Sequence, residues 1–124
     1  MENPVGWFEI YVDDLDKART FYEGTLALEL TPLESPMANL KMLAFPADME
    51  KYGASGAICK MDQVQAGGNS TMVYFACDDC QAPAGRVTEH GGTLVAPKMP
   101  IGQHGFIAIA QDPDGNTIGF HSMA

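Results

Sequence analysis

Residues 7–30 read WFEIYVDDLDKARTFYEGTLALEL. Taken with the two residues before it, the stretch 5–12 (VGWFEIYV) is apolar and aromatic, rich in β-formers, and predicts a strand. Asp13-Asp14 follows, and short acidic side chains there cap a helix by accepting from its first N–H groups. Leu15, Ala18, Phe21 and Tyr22 then recur at helical spacing, so a helix over 14–24 is expected. Gly24 should end it or weaken its last turn. Short strands are expected at 27–32, 40–45 and 56–61, before a Gly67-Gly68-Asn69-Ser70 linker.

Beyond the linker the pattern restarts. Residues 72–77 (MVYFAC) are strand-like, Asp78-Asp79 offers a second cap, and Pro83 falls in the first helical turn, where a missing N–H is tolerated. A helix over 80–90 closed by Gly91-Gly92 is expected, then strands at 93–96, 105–110 and 117–122. Asp112-Pro113-Asp114-Gly115-Asn116 should turn the chain into the last of these. VDDLDKA (12–18) lies on CDDCQAP (77–83) at an offset of 65, which also puts Pro32 on Pro97. GASGAICKM (53–61) lies on GNTIGFHSM (115–123) at an offset of 62. The order strand, helix, three strands thus repeats, and the chain reads as one domain, 1–124, with a duplicated βαβββ unit, 5–62 and 70–124.

The composition narrows the function. The 124 residues suffice for one domain with a sizeable core. Sixteen Asp and Glu against seven Lys and Arg give a formal net charge of -9. A surface that acidic repels nucleic-acid backbones and anionic lipids, so neither is an expected partner. There is no apolar run of the length a spanning helix needs and no secretory-type start. An odd count of three cysteines points to a reducing compartment, the cytoplasm.

WFEIYVDDLDKARTFYEGTLALEL, together with DPDGNTIGFH near the end, resembles the vicinal oxygen chelate superfamily, which includes glyoxalase I, bleomycin-resistance proteins and extradiol dioxygenases. Short single-domain glyoxalase-related proteins are the nearest in style. The resemblance implies an α+β fold: two tandem βαβββ modules forming a curved mixed sheet, helices on the outer face, and a ligand site in the concavity. It also implies homodimers, and the exposed edges of such a sheet favour pairing.

Strand alternation sorts the side chains. Phe8, Ile10 and Val12 should face the helices, leaving Trp7, Glu9 and Tyr11 for the concavity. Likewise Val73, Phe75 and Cys77 face the helix, and Met72 and Tyr74 the site. Ile118 and Phe120 are core, while Gly119 and His121 face the site; by the module match Ile58 parallels Phe120, so Ala57 and Cys59 line the site. In metal-using relatives one ligand comes from the first and last strand of each module. Those positions here are Trp7, Ala57, Met72 and Gly119, none with a useful N or O donor, so the resemblance implies the architecture without metal or other cofactor. A register shift of two would bring together Glu9, Cys59, Tyr74 and His121, a non-standard ligand set.

Glu9 and His121 are then the pair equipped for proton transfer, Glu9 as base and His121 as acid. A plain buried hydrogen bond between them is the alternative. Cys77-x-x-Cys80 resembles a redox motif, but Asp78 and Asp79 disfavour a thiolate, so it reads as structural. His90 at a helix end, His104 in a glycine-flanked loop and Lys60 at a strand end read as solvated. Three functions stand open: a metal-independent isomerase- or lyase-like enzyme acting on a small molecule, a bleomycin-resistance-type sequestering protein, or an interaction module. A metal-dependent glyoxalase- or dioxygenase-like enzyme would need the non-standard set.

Overall fold

The computed structural model describes residues 3–51, 53–68, 70–111, 113 and 115–124. Its first elements are β1 (Val5–Tyr11), α1 (Leu15–Leu26), β2 (Thr31–Leu33), β3 (Leu40–Ala44) and β4 (Ser55–Met61). The same order follows with β5 (Thr71–Ala76), α2 (Gln81–Arg86) and its 3-10 extension Thr88–His90, β6 (Thr93–Pro100), a 3-10 turn Gly102–His104, β7 (Phe106–Gln111) and β8 (Thr117–Ser122). The α+β class and the mixed eight-stranded sheet agree with expectation. Two compact units are present: Phe8–Thr71, and the residues through Trp7 together with Met72–Ala124. β1 serves both, its strand neighbours being β4 and β5.

In the Phe8–Thr71 unit the strands run β2-β3-β4-β1, with β2–β3 and β3–β4 antiparallel. The Asp14 side chain caps α1 by accepting from Lys17 N at 3.1 Å. The helix does not stop at Gly24; it runs to Leu26 and ends on Ala27 in the left-handed region, φ 54°. The reason lies beyond the helix. Leu30 N–H donates to Glu23 Oε2 at 2.8 Å, and Arg19 bridges Glu23 and the Leu30 carbonyl at 3.1 Å each. These ties hold the last turn across a glycine that no neighbour crowds. The left-handed residue also shortens the next strand to Thr31–Leu33, so the expected strand start at 27 is wrong. Leu30, Leu43 and Ile58 form the core, with Ile10, Leu15, Ala18, Tyr22, Leu28 and Phe45 packed on it. The Phe8 ring lies 5.5 Å from that of Phe45, so Phe8 and Ile10 do face the helix side.

In the other unit the strands run β1-β5-β8-β7-β6. β5–β8 is parallel, β6–β7 and β7–β8 antiparallel. Cys80, Ala84 and Ala108 form its core, flanked by Cys77, Phe106 and Phe120. The helix expected over 80–90 is broken: α2 ends at Arg86 and a 3-10 turn carries the chain to Gly91, φ 90°. β6 runs to Pro100 rather than 96. It ends the strand order, and Pro97 and Pro100 are tolerated on such an edge, where register shifts after Leu94 and Ala96 interrupt pairing. Of the expected linker and last turn, Asn69, Asp112 and Asp114 lie outside the described residues.

Candidate functional site

Glu9 and Tyr11 stand two apart on β1, which puts their side chains on one face. Ile10, between them, packs with Ile58 toward α1, so Glu9, Tyr11, Ala57 and Cys59 belong to the face away from that helix. The Tyr11 hydroxyl donates to Glu9 Oε1 at 2.7 Å. Glu9 is only 6% exposed, and Ala57 and Cys59 are fully buried. Burial pushes the Cys59 thiol far up, and the negative charge of Glu9 pushes it further. Cys59 therefore stays a thiol and supplies no nucleophile. On this face Glu9 supplies the carboxylate, with the Tyr11 hydroxyl against it.

The second cluster lies in the other unit. Met72 and Tyr74 are buried, Gly119 is buried, and Trp7 and His121 are half-buried. Tyr74 pairs with Gly119 in the β5–β8 register, and a Cβ built on Gly119 would run into the Tyr74 ring. His121 pairs with Ile107 across β7–β8, and its Nε2–H donates to the His104 carbonyl at 2.6 Å. The His121 backbone carbonyl accepts from Cys77 N at 3.0 Å and from Cys77 Sγ at 3.4 Å. Burial pushes the Cys77 thiol up, followed by Cys80, Asp79 and Asp78. The strand–helix corner thus carries two free cysteines that pack in the core of this unit, the Cys77 thiol held up by burial and its acidic neighbours. Of the expected site residues, Glu9, Tyr11, Ala57 and Cys59 are gathered in one unit and Trp7, Met72, Tyr74, Gly119 and His121 in the other.

The metal-ligand positions implied by the resemblance do not fit a divalent cation. Trp7, Ala57 and Met72 offer no hard donor, and at Gly119 the ring of Tyr74 takes the room a ligand side chain would use. Among the described residues, no three His, Cys, Asp or Glu side chains are grouped to hold a metal ion.

Two groups escaped the sequence reading. Ser122, 2% exposed, accepts from Cys80 N at 2.9 Å and donates to the Ala124 carbonyl at 3.0 Å. Its signal was its place on β8 two residues after Phe120, on the helix side. Lys98 Nζ bonds Asp79 Oδ1 at 2.8 Å and sits 4.6 Å over the Phe106 ring. Its place on an edge strand gave no such signal.

The CFP32 proteins of Mycobacterium bovis and Mycobacterium tuberculosis, provisionally named glyoxylases, are each 29% identical over 109 residues. That is 88% of this chain but 40% of theirs, so the chain spans well under half the length of these curated relatives. Methylmalonyl-CoA epimerase of Mycobacterium tuberculosis superposes with a TM-score of 0.70 at 16% identity, covering 98% of this chain and 88% of that one. The epimerase of Streptomyces coelicolor, in complex with 2-nitronate-propionyl-CoA, gives 0.69 at 13% identity, covering 98% and 95%. At such identities these structures share the fold. The sequence pattern of the Glyoxalase/Bleomycin resistance protein/Dioxygenase superfamily matches residues 5–120, and the chain belongs to that superfamily.

Proposed function

We propose that this protein is a small-molecule enzyme of the isomerase or lyase type that moves a proton on an enolisable substrate, using Glu9 and no resident metal. The observation that carries the reading is the buried Glu9 carboxylate on a helix-free sheet face, held by the Tyr11 hydroxyl. Burying a carboxylate costs several kcal/mol before its partners are counted, and the Tyr11 hydroxyl is one of those partners. Gln or Thr would fill the same pleat at less cost, so a use for the charge is the economical explanation. Among solved structures of this fold is a methylmalonyl-CoA epimerase, so proton movement on a small molecule is a chemistry the reading can draw on. Tyr11 orients one carboxylate oxygen, and Cys59 beneath stays neutral. Trp7, Tyr74 and His121, in the other unit, are proposed as ligand-contacting residues in their own right. We place the protein in the cytoplasm as a homodimer, for which the free cysteines and the edge strands β2 and β6 speak.

The test is hydrogen–deuterium exchange at the acidic carbon of a 2-methylmalonyl thioester and of a panel of small enolisable ketones and aldehydes, followed by NMR. Wild type should exchange at least one of them, and Glu9→Gln should fold with equal or greater stability and lose roughly 10²–10⁴-fold in rate. Equal exchange by wild type and Glu9→Gln would overturn the role of Glu9. No exchange, with tight binding of an aromatic ligand, would favour sequestration, which the apolar group Trp7, Met72 and Tyr74 supports as the second reading.

A further inference from the structure

The turn that precedes β7 is built to reach the last strand. Ile101 N–H donates to the Gly105 carbonyl at 2.9 Å, and Gly105 N–H to the Gly102 carbonyl at 3.3 Å, closing a 3-10 loop on itself. Two of its residues adopt backbone angles that L side chains rarely hold, Gly102 at φ 71° and Gly105 at φ 97°. Gly105 is the tighter of the two. A Cβ there would collide with the Ser122 carbonyl and press on Met123. Glycine therefore lets the turn seat directly on the end of β8, next to His121. Seated there, it aims the His104 carbonyl at His121 Nε2, 2.6 Å away.

A carbonyl oxygen can only accept, so the nitrogen that meets it carries the proton. In a neutral imidazole one nitrogen donates and the other accepts. The geometry points to a positioning role for the 101–105 turn: through the His104 main-chain carbonyl it holds neutral His121 as the Nε2–H tautomer and leaves Nδ1 as the proton-accepting nitrogen. The acid role expected for His121 is thereby exchanged for that of a base or hydrogen-bond acceptor. Its complement is a ligand presenting an O–H, an N–H or an acidic C–H. The tautomer follows from the turn alone, whereas its use toward a ligand rests on the reading of His121 as a site residue. The His104 side chain, exposed to solvent, has no part in this.

The experiment reads the imidazole nitrogens of His121 by 15N NMR of the intact protein in mildly alkaline solution, where ordinary imidazoles are neutral. No substrate is needed, so its outcome is separate from that of the Glu9 exchange assay. The expected result is a proton on Nε2 whose exchange with solvent is slower than that of the exposed His90 ring by roughly five- to tenfold or more, the protection one net hydrogen bond gives. His104→Gly keeps the carbonyl and should keep the protected proton. Gly105→Ala should displace the turn and lose it. Should that variant not fold, Gly102→Ala, whose methyl meets no neighbour and whose strain is only conformational, should weaken the protection instead. A proton on Nδ1 in wild type, an unprotected Nε2–H, or protection unchanged in the glycine variants would each overturn the assignment.

Discussion

The two helices begin alike in sequence and are held in opposite ways. Asp14 and Asp79 occupy the same place in the 65-residue offset, and each accepts from a backbone N–H near its helix start, Lys17 and Gln81 respectively. α1 then runs twelve residues and is tied through its own side chains, Arg19 and Glu23, to the Leu30 segment. α2 runs six residues, and its capping residue Cys80 makes no side-chain cap. It is pinned from outside, by Ser122 of β8 to Cys80 N and by Lys98 of β6 to Asp79. A helix that carries its own ties can be long. A helix tied by its strands can be short, and its position then reports on those strands, including the one that carries His121.

The comparison breaks first at the cores. Ile58 is fully buried beneath α1, and Ile58→Ala should cost about 2–5 kcal/mol in chemical denaturation. Phe120 holds the matching place beneath α2 but is only partly buried, so Phe120→Ala should stay below the roughly 3–5 kcal/mol of a fully buried phenylalanine. A larger loss at Phe120 than at Ile58 would show that the short helix covers the tighter core. The ties come next. Ser122→Ala strips the acceptor from a buried N–H and should cost about 1–3 kcal/mol, against about 1 kcal/mol for Asp14→Ala at an exposed cap. Equal losses would mean that α2 is not pinned from outside.

The smallest effect is in acid. The Leu30 N–H, and after it Arg19, holds the Glu23 carboxyl below the usual range; Lys98, then the Gln81 N–H, does so for Asp79. Both folded values are depressed. Each group therefore contributes stability above its unfolded pKa, near 4 for carboxylates, that is lost as pH falls through the folded value. Melting temperatures scanned from neutral to acid pH should fall less in Glu23→Gln and Asp79→Asn than in wild type. A parallel acid slope in either variant would remove that carboxylate from the account.

Much of the fold is legible in the sequence. The aromatic strand running into Asp14 and the spacing of Leu15, Ala18 and Tyr22 located β1 and α1, because capping and burial are both local signals. Alternation placed Phe8 and Ile10 toward the helix and Glu9 with Tyr11 on the other face. The errors fell where distant groups decide. Gly24 lies inside α1 because Glu23 reaches Leu30, and β6 passes through Pro97 because β6 ends the strand order. The partner of His121 was the least legible, since a main-chain carbonyl seventeen residues away leaves no mark on the choice of side chain at either end.

The ring of Tyr74 over Gly119 also constrains how this chain can change with time. Acidic or imidazole side chains at position 119 would be the natural route to a metal-binding descendant, yet any side chain there meets the ring first. The two positions are register partners and must be exchanged together: a smaller residue at 74 has to arrive before, or with, a ligand at 119. Taken alone, the step at 119 overpacks the sheet by about 1–3 kcal/mol, and the step at 74 opens a void of comparable cost. Each single-step intermediate is less fit to fold than either endpoint. Changing one of these two residues alone therefore passes through a less stable chain than changing both together.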